Sequence, residues 1–148
     1  MTMTERTVWA TLAVFPLVGI VYFTVILTQA ADRPLEEVSW VTPMLWAWGS
    51  LIVFIILGTI ASAIATAIQA EVAGQKAEFE DGDVRDKEIE RNGNARAYVM
   101  SSFGGLVATI LLMLDVDRFW PANTLFLAGL LAGIIAAGTR ARAYRTGL

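Results

Sequence analysis

The residue types that could do chemistry are crowded into one stretch of this 148-residue chain, residues 71–96. Glu71, Glu78, Glu80, Asp81, Asp83, Asp86, Glu88 and Glu90 lie there beside Lys76, Arg85, Lys87, Arg91 and Arg96. Carboxylates in such numbers suggest a hard cation, and Asp81-Gly82-Asp83 with Asp86 has the look of a cation loop. It lacks the ligand spacing of an EF-hand and the distal bidentate glutamate. A solvated, self-paired helix accounts for the same residues: Asp83 is a suitable N-cap for a helix running to about Asn92. Asp83 would reach Lys87 at i+4 and Glu88 would reach Arg91 at i+3, each pair contributing a few tenths of a kcal/mol. Asn92-Gly93-Asn94 either ends this helix or lets it run into the apolar segment that follows. A third reading makes the stretch a docking surface for a soluble partner, formed by Asp83, Arg85, Asp86, Lys87, Ile89, Glu90 and Arg91. Val84 and Ile89 would be its apolar anchors.

The chain has no Cys and no His. Thiolate and imidazole metal sites, His-ligated haem, Cys nucleophiles and His bases are therefore excluded. The remaining carboxylates, lysines and hydroxyls form no spaced cluster within the apolar runs, and no phosphate-cradling glycine loop accompanies them. No catalytic residue, cofactor site or metal site is expected, and the chain is read as a non-enzyme. A net charge of −3 also argues against direct nucleic-acid binding.

The elements that must hold the charged stretch are apolar. The composition is 56% hydrophobic, and the charges fall in blocks between long uncharged runs, which is the pattern a bilayer imposes. The spacing predicts four transmembrane helices at about 8–30, 43–70, 95–114 and 121–139, arranged as two hairpins in a single all-α, polytopic membrane domain. Arg6 and Thr28-Gln29-Ala30 also allow the first run to be read as a signal peptide, but the run is longer than a usual signal core. Pro16 should kink rather than break it. Arg6, the basic residues of 76–96, and Arg140, Arg142 and Arg145 fall on one side, with Arg33 and Arg118 on the other. The basic side is read as cytoplasmic, so both termini are expected there. Trp40, Trp46, Trp48 and Trp120 gather at the opposite interface, while Trp9, Tyr98 and Tyr144 mark the inner one.

Small residues recur on helix faces: Gly58, Ser62 and Thr66 in the second run; Ser101, Gly105 and Thr109 in the third; Gly129, Gly133 and Ala137 in the fourth. Such faces let helix backbones approach closely. They are expected either to pack the four-helix bundle internally or, best on the fourth helix, to form a homodimer. None of the runs carries a charge near its centre, which weighs against ion-coupled transport. Small four-helix multidrug transporters depend on a glutamate in their first helix; here that helix offers only Thr24, Thr28 and Gln29 toward its outer end.

From Asp83-Val84-Arg85-Asp86-Lys87-Glu88-Ile89-Glu90-Arg91, through Gly93, Arg96 and Tyr98, to the turn Asp117-Arg118-Phe119-Trp120 and the tail Tyr144-Arg145-Thr146-Gly147, the chain resembles a family of small bacterial membrane proteins. That family has an acidic "Glu-Arg-Asp"-like cytoplasmic segment, a helical hairpin and a basic "Tyr-Arg-Arg-Gly"-like tail. The likeness covers roughly residues 80–147. Val84 stands where the family tends to have Glu, and Thr146 where it tends to have Arg. The resemblance implies a multi-pass protein of the bacterial inner membrane that could hold a soluble helix-turn-helix regulator at the cytoplasmic face, and it carries over no catalytic residue. The expected function is thus a small membrane interaction or regulatory protein, its bundle an anchor and dimeriser and 71–96 its working surface. The alternative is a small oligomeric transporter or channel lined by Ser62, Thr66, Gln69, Ser101, Ser102 and Thr109.

Overall fold

The computed structural model describes residues 3–72, 74 and 84–146. Within them the protein is all-helical: α1 (Met3–Asp32), α2 (Val41–Val72), α3 (Val84–Met113) and α4 (Phe119–Thr146), with one short 3₁₀ turn at Leu35–Glu37 between α1 and α2. All four helices are long and apolar enough to cross a membrane.

Every helix runs past its apolar core. α1 continues through Pro16, as expected of a proline whose freed carbonyl is tolerated in a packed apolar setting. α2 starts two residues before Pro43, so the proline falls in the first turn, where its missing N–H would lack a partner anyway. α3 is the largest departure. Asn92-Gly93-Asn94 does not end a separate helix, and α3 is continuous from the charged stretch into the apolar run.

The α3–α4 connection is built from its aspartates. Asp115 adopts a left-handed φ of 54°. Its N–H donates to the Leu112 carbonyl and that of Val116 to the Leu111 carbonyl, the two bonds of a Schellman C-cap. Two residues on, the Asp117 carboxylate accepts the Phe119 N–H at 2.8 Å and caps the start of α4. Both aspartates therefore do local chain-turning work, and Phe119-Trp120, read in the sequence as part of the turn, already belong to α4.

The helices pack in the order α2–α1–α4–α3: α1 and α4 touch each other, α2 lies on α1, and α3 lies on α4. The main core fills the α1–α4 seam with Val18, Tyr22, Ile26, Phe126 and Leu130, joined by Ala47 and Leu51 of α2 and by Val38 and Phe119. Inside it the Tyr22 hydroxyl donates to Asn123 Oδ1 at 2.8 Å, and Asn123 Nδ2 donates to the Phe119 carbonyl at 2.8 Å. This satisfies a polar pair that would otherwise be costly to bury. The tryptophan end is aromatic throughout, with Trp40 edge-on to Phe119 and Trp48 edge-on to Phe126.

Along the apolar runs, the surface outside these seams is rich in exposed large hydrophobic side chains. Six successive residues of α2, Ile52 to Leu57, are each 44–55% exposed. Water would not tolerate a patch of that extent on a folded monomer, whereas lipid satisfies it at no cost.

Candidate functional site

The polar residues converge where the start of α3 lies on the end of α4. α3's early turns present Asp86, Ile89, Glu90, Gly93 and Asn94 at helical spacing, and α4 answers with Ala137, Arg140, Ala141 and Tyr144. Tyr144 donates its hydroxyl to Asp86 Oδ1 at 2.8 Å. Arg140 donates to Asn94 Oδ1 and lies 4.0 Å from Glu90 Oε1.

Two apolar features make this contact close. Ile89 is only 1% exposed. Gly93 is buried, and a Cβ built on it would sit 2.9 Å from Arg140 Cγ and Nε and 3.0 Å from the Ala136 carbonyl oxygen. Glycine at 93 therefore serves close approach: it lets the Arg140 side chain lie flat across α3. Further along, a Cβ on Gly104 would fall 2.0 Å from that of Ala128, so the α3–α4 seam is tight on both sides of the polar-to-apolar boundary.

The same end ties in the other helices. Arg145 lies over the Trp9 ring, 4.9 Å from its centroid. Arg6 donates to Gln69 Oε1. Val8 packs with Ala137 and Ala141.

The structure redistributes the residues nominated as a docking surface. Asp83, the proposed N-cap, lies outside the described residues, as do Asp81 and Gly82 of the cation-loop reading. Ile89 is corrected: it is no exposed anchor, because α3's phase turns it into the chain's own α3–α4 seam. Asp86 and Glu90 are engaged by Tyr144 and Arg140. Arg85, Lys87 and Arg91 are exposed, as is Val84. In place of a Glu88–Arg91 pair, Glu90 faces Arg140. No group of three or more carboxylates among the described residues is placed to hold a metal ion.

The small-residue faces also separate. Gly133 is covered by the Phe15 ring, Ala137 is buried, and Gly58 faces Ala10. Ser62 is buried as well. These residues pack within the chain. Gly105 and Gly129 have open space where a Cβ would be.

The residues proposed to line a pathway are spread over two helices that pack mainly on different neighbours. Thr66 bonds the Ser62 carbonyl and Thr109 the Gly105 carbonyl, each on its own helix. Ser101 and Ser102 are exposed, and α2 and α3 pack on different partners.

Tyr144, Arg140 and Asn94 were not singled out in the sequence as site residues. Their signal was the spacing Ala137, Arg140, Ala141, Tyr144, which continues α4's inward stripe beyond residue 139. It becomes visible once α4 is allowed to outrun its apolar segment.

No family model, curated protein or solved structure matches the chain.

Proposed function

We propose that this protein is a small multi-pass protein of a bacterial inner membrane that presents a preformed charged helix to a soluble partner in the cytoplasm. In this reading the four helices cross the bilayer as two hairpins, with both termini and the 73–83 connection on the cytoplasmic side. The bias of basic residues supports that orientation.

The carrying observation is the clamp on α3. A charged segment this polar has no apolar reason to stay helical alone. Ile89, Gly93 and the Asp86–Tyr144 bond hold it against α4. The outward ridge of Arg85, Lys87, Glu88 and Arg91 is thereby fixed before any partner arrives, which reduces the ordering cost of binding. The bundle serves as anchor. A homodimer would have to use a face other than that of Gly133, which Phe15 covers.

The test places a photocrosslinker at Lys87, at Arg91 and at Ile89 of the full chain in native membranes. Adducts to one soluble protein from positions 87 and 91, with crosslinks into α4 from 89, are the expected result. No soluble adduct from 87 or 91, or partner adducts chiefly from 89, would overturn the reading.

A further inference from the structure

A groove of about 670 Å³ runs along one flank of the α3–α4 seam, next to the clamp but separate from it. Asn92 and Arg96 line it from α3, and Ile135, Gly138, Thr139 and Arg142 from α4. The α4 residues recur at helical spacing, so they form one continuous wall. The lining mixes apolar Ile135 and Gly138 with polar Asn92 and Thr139, includes two arginines, and has no carboxylate.

These two arginines differ from the others at this end. Arg140 is engaged by Asn94 and Glu90, Arg145 by Trp9, and Arg6 by Gln69. Among the described residues, the side chains of Arg96 and Arg142 have no hydrogen bond, ion pair or ring contact. Two unneutralised cations facing one groove repel each other, an arrangement that an anion between them relieves.

Their depth says which anion. At helical rise, Arg96 lies about 25 Å from the far end of α3 and Arg142 about 34 Å from the far end of α4. These two distances bracket the roughly 30 Å thickness of a hydrocarbon core, so the groove between them falls in the region of its boundary. Exposed Tyr98, just beyond Arg96, marks the same level. Guanidinium groups bind phosphate oxygens in bidentate fashion, and basic pockets between spanning helices take anionic headgroups.

We infer that the Arg96–Arg142 groove binds the phosphate headgroup of an anionic phospholipid, whose acyl chains lie against Ile135 and Gly138. The inference rests on the membrane reading above.

The full chain is first reconstituted into phosphatidylcholine vesicles containing a minor fraction of phosphatidylglycerol. Native mass spectrometry of protein released from them then counts the co-bound lipids. The expected result is phosphatidylglycerol retained about tenfold or more above its share of the bilayer. The double variant Arg96→Gln, Arg142→Gln loses that enrichment, while Arg85→Gln, Arg91→Gln, with the same change in charge, keeps it. Inorganic phosphate at millimolar concentration leaves the enrichment intact, because a free ion lacks the acyl contacts. Circular dichroism checks that the double variant keeps its helix content; if it does not, the single Arg142→Gln must show an intermediate loss. Insertion without enrichment, equal loss in both double variants, or displacement by inorganic phosphate overturns the headgroup site and leaves the membrane reading standing. A chain that does not enter vesicles at all overturns both.

Discussion

α2 and α3 are both outer helices of the same row, yet they are held very differently. α2 rests on α1 without tight approach, a Cβ built on Gly58 falling 3.8 Å from that of Ala10, and leaves whole turns exposed. α3 is locked to α4 over its full length, by Gly104 under Ala128 in the apolar run and by Ile89, Gly93 and Asp86–Tyr144 beyond it. A helix needed only as an anchor requires no more than α2 has. The fixing of α3 does not stop with its apolar run but continues along the charged extension.

The largest expected effect breaks the α3 seam directly. Gly104→Leu should destabilise the protein by about 3 kcal/mol, because a Cβ there overlaps one on Ala128 and the backbones must part. Gly105→Leu, one residue on with open space around it, should stay within about 0.5 kcal/mol of the parent. Reversible unfolding in detergent micelles measures both, and equal losses would contradict the assigned face of α3.

Ile89→Ala comes next. A buried isoleucine truncated to alanine should cost about 2 kcal/mol, accompanied by faster proteolysis near residue 84. Surface-like behaviour would mean that the extension does not dock.

Tyr144→Phe should cost about 1 kcal/mol, the order expected for a hydrogen bond to a carboxylate at a part-exposed site. Asp86→Asn combined with it should be non-additive, since the two residues share one bond. Strict additivity would say that the bond is absent in solution.

The smallest effect belongs to the α2 side. Gly58→Ala should be neutral or gain up to about 0.5 kcal/mol, because the added methyl meets Ala10 at ordinary contact distance and alanine is the better helix former. A large loss there would erase the contrast between the two outer helices.

The four spans could be read in the sequence because apolar length and charge exclusion are properties of a single helix. Their true ends could not. Asn92-Gly93-Asn94 has the local chemistry of a helix stop, and the contacts that hold α3 across it come from α4, far away in sequence. Ile89 amid charges looked like an exposed anchor because its fate depends on the phase of α3 against α4, which no local pattern carries. Gly133 and Ala137 were recognised as a packing face, but whether that face serves the chain itself or a second copy depends on Phe15, far away in sequence. The turn at Asp117 was legible, but the left-handed Asp115 that closes α3 just before it carried no glycine or asparagine to announce it.

The account turns on whether residues 88–96 form a fixed helix on α4. Amide hydrogen exchange of the full chain in phospholipid nanodiscs measures this most directly. The account predicts protection of these amides by about a hundredfold or more over an unstructured chain, falling on Ile89→Ala while the α3 span stays protected. Exchange within about tenfold of the unstructured rate at 88–96, beside a protected span, would contradict it.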